Sequence, residues 1–306
     1  MRSCRVTALW ATVSGGDGVA GDGAVSDGAL WATASAHRCE CVAANGRRNA
    51  GCREGLSAMD LTGRTALVTG ASLGIGRATA MTLARRGVRV RATGLESEPL
   101  LELARMPGVA VLAADLSDER ELDELLGWTG PVDLLVNVAG FGRSEPLEQI
   151  DRGETLEMLA VNLVAPIRLT AALAPGMAER GHGHIVNVAS IAGSLGVAYE
   201  AVYSATKGGL IAFSESVRYE LDGTGVGVTV VFPAAVETLF FARAGRPYTR
   251  RFPRLVDPAQ VAEMLVAAVE RDTPEVFVPR WTVVPVRLRG GLPGVFRRAA
   301  RHSMRG

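Results

Sequence analysis

Lysine is almost missing from this sequence: of the 33 Lys and Arg residues, 32 are arginine and the exception is Lys207. Arginine cannot give up its proton and presents a wide planar fork, whereas lysine offers a compact point charge on a thin stem. A chain that spells every other positive charge as arginine and keeps one ammonium points to a specific task for Lys207. Cysteine is also scarce. All four, Cys4, Cys39, Cys41 and Cys52, precede residue 60, so the rest of the chain needs no disulfide, as suits a reducing, cytoplasmic compartment. Cys39 and Cys41 have no second pair at zinc-site spacing and read as surface thiols. Excess charge is lacking too: a formal net charge of +1 gives no long-range attraction to nucleic acid or to an acidic partner, which leaves a small molecule as the expected partner. No apolar run reaches the length of a membrane span, and the opening MRSCRVTALWATV lacks the features of a strong secretory signal.

What is present falls into three parts. Residues 1–58 are rich in Gly, Ala and Ser without helical or strand period and read as a disordered extension. Met59 opens MDLTGRTALVTGAS, a natural beginning for a domain expected over 59–280. In the tail, 281–306, no acid follows Glu275, and arginines (with Arg280 just ahead, then Arg287, Arg289, Arg297, Arg298, Arg301 and Arg305) alternate with Trp281, Val283, Val284, Leu288, Leu292, Val295 and Phe296. That composition suits an anionic membrane surface, cover for a partner subunit, or a solvated tail.

Within the domain, short β-branched runs alternate with amphipathic stretches. Strands are expected at Thr65–Thr69, Val88–Ala92, Val109–Ala113, Leu134–Asn137, His184–Ala189, Val226–Val231 and Glu275–Val278. Helices are expected at Ile75–Arg86, Glu119–Leu126, Glu154–Ala178, Val202–Leu221 and Pro258–Glu270. The pattern predicts an α/β domain, a Rossmann-type doubly wound seven-stranded parallel sheet with helices on both faces.

The first strand runs into Thr69-Gly70-Ala71-Ser72-Leu73-Gly74-Ile75-Gly76, and a helix follows. Glycines there let the backbone approach a pyrophosphate lying over the helix N-terminus, where free N–H groups and the helix dipole favour negative charge. Tyr203 and Lys207 are four residues apart, one turn on the same helix face. A free phenol has a pKa near ~10, and an ammonium about 4 Å away contributes roughly 4 kcal/mol at an effective dielectric of about 20, or about three pK units. Lys207 is therefore expected to bring Tyr203 toward working range as an acid and base. His182 and His184 have no carboxylate or thiolate close in sequence and read as a turn entering a strand, not a metal site.

These motifs resemble the short-chain dehydrogenase/reductase family over about residues 60–280. Its TGxxxGIG turn is matched by Thr69–Gly76 and its NNAG strand end, with one change, by Asn137-Val138-Ala139-Gly140. Ser190, thirteen residues before Tyr203, and Asn162 in the long helix complete the family's set. The resemblance implies an NAD(P)-dependent interconversion of a secondary alcohol and a ketone. Tyr203 would act as acid and base, Lys207 would hold ribose hydroxyls, Ser190 would bond the substrate oxygen, and Asn162 would anchor a water linking Lys207 to solvent. Cofactor contacts would come from Gly70, Ser72, Leu73, Gly74, Ile75 and Gly76 of the turn and from Asp115 and Leu116 after the third strand. Asn137, Ala139, Gly140, Tyr203, Lys207, Pro233, Val236 and Thr238 would supply the others. Pro233-Ala234 stands where the family often has Pro-Gly.

Neither charge that separates the cofactors stands at the end of the second strand, where the chain reads Thr93-Gly94-Leu95-Glu96. A missing carboxylate leaves room for a phosphate that Ser72 can meet, which favours NADP over NAD, against the presence of Glu96. Residues 234–256 are expected to cover the pocket, with Leu239, Phe240 and Phe241 as an apolar wall suited to a steroid, a retinoid-like lipid or a 3-oxoacyl thioester. Arg243, Arg246, Arg250 and Arg251 face either an acidic group or solvent. The resemblance implies a homodimer or homotetramer. The alternative is a catalytically idle NAD(P)-binding sensor or membrane-associated scaffold; an epimerase or dehydratase fits less well, since only about 70 residues follow the sixth strand.

Overall fold

Alternation along the strands decides how this chain folds. In β1 (Thr65–Val68), Ala66 and Val68 face one side of the sheet and Leu67 the other, and all three are buried. A parallel strand covered by helices on both faces has this two-sided burial. In the computed structural model, which describes residues 59–249 and 253–303, seven strands form one all-parallel sheet in the order β3-β2-β1-β4-β5-β6-β7. The others are β2 (Arg89–Gly94), β3 (Val109–Ala113), β4 (Leu134–Asn137), β5 (Gly183–Val188), β6 (Val226–Pro233) and β7 (Glu275–Val278). The expectations for residues 1–58, and for Arg250, Arg251 and Arg305, lie outside the described residues.

One face of the sheet carries α1 (Gly74–Arg85), α2 (Ser97–Leu103) and α9 (Pro258–Glu270), whose Leu83, Leu100, Leu103 and Leu265 pack with Ala66 and Val68. The opposite face carries α3 (Glu119–Thr129), α5 (Ala165–Glu179) and α7 (Ala201–Glu220), where Leu125, Leu169 and Met177 pack with Leu67 and Ile185. Asp118 and Asp257 cap α3 and α9 by accepting hydrogen bonds from first-turn N–H groups. Because β1 lies between β2 and β4, the chain leaves β1 and β4 toward opposite directions, and their carboxyl ends open a crevice.

The single helix expected over 154–178 is three pieces: α4 (Arg152–Leu159), one π-helical turn (Ala160–Val164) and α5. Pro166 has no N–H to offer the carbonyl four residues back, and a π-turn absorbs the mismatch. The whole run Arg152–Glu179 is, at 28 residues, long and apolar enough to cross a membrane by length and composition, which corrects the expectation that none is. Here its Met158, Leu169 and Met177 are buried in the protein core. Four short helical elements escaped the period reading besides α2: α6 (Ile191–Leu195), α8 (Phe240–Arg243), α10 (Val283–Gly291) and α11 (Pro293–Ser303). Val283 and Val286 of α10 pack on the stacked rings of Phe232 and Phe277, whose centroids are 4.5 Å apart.

His184 lies inside β5, in the strand expected from His184, and it has a structural partner. Thr229 Oγ1 donates to the Thr273 carbonyl at 2.7 Å, so it accepts from His184 Nε2 at 2.8 Å. Among the described residues no cluster of three or more His, Cys, Asp or Glu side chains is placed to hold a metal. Burial, with help from Arg218, pushes the imidazole down from 6.5 to about 4. The native state therefore keeps His184 neutral while the unfolded chain protonates it. Stability is lost as pH falls from 6.5 toward 4, by about 3 kcal/mol at most. Denaturant titrations across that window should show a smaller loss in His184→Gln; parallel curves would remove His184 as the cause.

Candidate active site

The turn after β1 is built for close backbone approach. Gly70 has φ +65° and a Cβ there would sit 2.8 Å from Ala139 Cα, so it lies directly against the end of β4. Gly74 has φ +54°, and its position faces the Thr238 methyl group, which a Cβ would meet at 2.9 Å. Gly76 is tighter still, since a Cβ would fall 2.1 Å from the Gly70 carbonyl oxygen. Leu73, the residue before α1, offers no capping side chain, and the first turn of α1 has no acid. Its N–H groups and dipole therefore remain available to an anion, and with the glycine cradle the turn fits the pyrophosphate of a dinucleotide. Ile75 packs partly into the core below.

Other residues expected around the cofactor have defined places. Thr69 Oγ1 accepts from the N–H groups of Val138 (3.0 Å) and Ala139 (3.1 Å), tying β1 to β4. Asn137 points inward: its Nδ2 donates to Asn187 Oδ1 at 2.8 Å, and Asn187 in turn donates to Ser214. Asp115 accepts from the backbone and hydroxyl of Ser117 at 2.8 Å, and Leu116 is buried in the core. Ser72, expected to face a phosphate, lies over Gly94 and bonds the backbone of Glu96 in both directions at 3.2 Å. Pro233 ends β6, and Val236 pairs with Val256, so the cover leaves the domain and returns at one point.

The segment after β4 links this cradle to Tyr203. A Cβ at Gly140 would meet Asn162 Oδ1 at 2.8 Å and Lys207 Nζ at 3.2 Å, and one at Gly142 would meet Tyr203 at 3.2 Å. Asn162, fully buried in the π-turn, accepts from Phe141 N (3.0 Å) and donates to Phe141 O (2.8 Å) and Thr206 Oγ1 (3.1 Å). Its side-chain amide is thus committed to protein partners. Thr206, unnoticed in the sequence, stands beside Lys207 and closes this network. Ser190 caps α6 and accepts from Ala192 N at 3.1 Å, which leaves its own proton to point at an oxygen. Gly193 makes the crossing of α6 on α7 possible: a Cβ would lie 2.6 Å from the Lys207 carbonyl carbon.

Electrostatics correct one expectation. Lys207 Nζ donates to the Val188 carbonyl at 2.9 Å and stands 6.0 Å from the Tyr203 ring centroid. Burial raises the Tyr203 phenol above its ordinary range; the hydrogen bond with Ser190 lowers it by less, and Glu200 adds a further upward push. The phenol is therefore raised, not lowered, and holds its proton at neutral pH. Burial also pushes Lys207 down, to about 8. Phe240 lies against Tyr203, with ring centroids 5.1 Å apart, as an apolar wall beside the phenol. Arg243, on the same cover, reaches Glu96 at 2.6 Å. Burial raises the Glu96 carboxyl, yet the bonds from Arg243, the backbone and Ser72 outweigh it and the group stays below its ordinary range.

Glycine turn and tyrosine share one crevice at the carboxyl ends of β1 and β4, the arrangement of an NAD(P)-dependent oxidoreductase. Residues 64–248 match the short chain dehydrogenase family, and the chain belongs to that family. It is 35% identical over 256 residues to an oxidoreductase of Myxococcus xanthus, covering 80% of this chain and 99% of that one. To Ketoacyl reductase HetN of Nostoc it is 35% identical, over 71% of this chain and 79% of that protein. Among solved structures, a short-chain dehydrogenase from Sphingobium yanoikuyae in complex with NADPH matches with a TM-score of 0.68 at 28% identity, over 76% of this chain and 96% of that one.

Proposed function

We propose that this protein reduces the ketone of an apolar, 3-oxoacyl-type substrate, with NADPH preferred over NADH and Tyr203 as the proton donor. The observation that carries the proton-donor role is the place of the phenol: it is buried beside Ser190, Lys207 and Phe240, and burial keeps its proton on at neutral pH. A bound nicotinamide supplies the hydride; the proton is this chain's contribution. Tyr203 gives it to the oxygen as negative charge develops there. Ser190, oriented by the Ala192 N–H, donates a hydrogen bond to the same oxygen. Lys207, held on Val188, keeps a positive charge near the phenol, and Asn162 holds the Phe141 backbone against the pair. Phe240, Phe241 and Tyr248 form a continuous aromatic run that excludes water and suits an acyl chain, and the Nostoc relative is named a ketoacyl reductase. Turnover of NADPH with 3-oxoacyl thioesters tests the reading; activity confined to polar, sugar-like ketones would overturn the substrate class.

The cofactor preference rests on Arg243. At the end of β2 the carboxylate of Glu96 is already neutralised by this guanidinium, so a phosphate brought there meets a cation it can share. Arg243→Gln should weaken NADPH binding about tenfold and NADH binding little. Fluorescence titration reads both; equal losses would make Arg243 a tether of the cover with no part in cofactor choice.

A further inference from the structure

We propose that the C-terminal helix pair, α10 and α11, docks this protein peripherally on an anionic lipid surface. Trp281, Val284, Leu292 and Val295 are exposed at 43%, 63%, 56% and 56%, with half-buried Leu288 between them. Trp281, in a 3-10 turn (Arg280–Thr282), Val284 and Leu288 follow at three and four residues into α10, and Leu292 and Val295 continue the exposed apolar surface across the bend into α11. The other side is anchored: Val283 and Val286 pack on the Phe232–Phe277 stack, and Phe296 is buried. Arg289 donates to the Ser194 carbonyl, which fastens α10 to α6. The apolar stripe therefore stands on a fixed support, directed away from the core.

Charge decides what covers it. Past Glu275 the sequence has seven arginines and no acid. Arg287 pairs with Glu275 at 3.0 Å, while Arg280, Arg297 and Arg298 make none of the ion pairs among the described residues. A second copy laid on this face by two-fold symmetry would set arginines against arginines. Nucleic acid would meet the arginines but leave the valine and leucine side chains in water. An anionic bilayer takes both, with the apolar stripe in the acyl boundary and the guanidinium groups among the headgroups. Since α10 lies on α6, which Ser190 caps, docking brings the reaction site near the lipid surface.

The test is co-sedimentation of the full chain with phosphatidylcholine vesicles, with and without phosphatidylglycerol. Binding should require the anionic lipid and fade at high salt. Val284→Asp combined with Val295→Asp should lower partition by more than about tenfold. Arg297→Gln and Arg298→Gln, both on the exposed surface, should lower it by about fivefold each. Equal binding to both vesicle types, or variants that bind as well as the parent chain, would overturn the proposal. So would a chain that ignores vesicles but whose mass by light scattering changes in the aspartate variant, which would make this face a subunit contact.

Discussion

Replacing Tyr203 with phenylalanine is expected to lower the turnover of a ketone by about 100- to 10,000-fold, the usual contribution of a positioned acid or base. The change removes one oxygen and keeps the ring that packs against Phe240 at 5.1 Å, so the cover and the cofactor cradle stay in place. NADPH affinity should therefore stay within about twofold, and the loss should fall on kcat, not KM. Lys207 behaves differently. Its ammonium is buried, bonded to Val188, and titrates at about 8. As pH rises through that value the positive charge beside the phenol is lost, so the reduction rate should decline above about pH 8 while Tyr203 still holds its proton. Lys207→Arg should not restore it. The broad guanidinium does not fit where the position of a Cβ on Gly140 already lies 3.2 Å from Nζ. A Tyr203→Phe enzyme with parental kcat would remove the phenol from the chemistry.

The second large effect is steric. In Gly76→Ala the new methyl would fall 2.1 Å from the Gly70 carbonyl oxygen and 2.5 Å from its carbon. Both are backbone atoms of a turn that is itself pressed against Ala139, so no flexible side chain can yield. The first turn of α1 has to move away from the cradle, at about 3 kcal/mol. Nucleotide binding should be lost, and Tm should fall by roughly 6–12 °C. Gly127→Ala is the control. That glycine is an exposed position in α3 with nothing within 4 Å of an added Cβ, and the substitution should stabilise by up to about 1 kcal/mol. Calorimetry on the two variants, with NADPH titration of each, separates a cradle effect from a general intolerance of alanine.

What could be read from the sequence was whatever depends on neighbours in the chain. The two-sided burial of Ala66, Leu67 and Val68 is written in a run of apolar residues, and the strand ranges 109–113, 134–137 and 275–278 follow from theirs. The four residues expected to carry chemistry are brought together because helix spacing sets Tyr203 and Lys207 on one face, and because β5 ends beside α7. Long-range pairings could not be read. Asn162 finds the Phe141 backbone across 21 residues, and Arg243 finds Glu96 across 147. Asn137 turns inward because Asn187, on the neighbouring strand, offers a buried partner. The raised phenol was misjudged for the same reason. Sequence spacing puts Lys207 one turn away, but only the packed structure shows its ammonium on Val188 and the burial that outweighs it.

The measurement closest to the central claim follows the hydride. The full chain is incubated with a 3-oxoacyl thioester and NADPH deuterated at the transferable position, and the product is examined by mass spectrometry. The account predicts one deuterium on the carbinol carbon of a 3-hydroxyacyl product, and almost no product from Tyr203→Phe. Product without deuterium, or equal product from the variant, would contradict it.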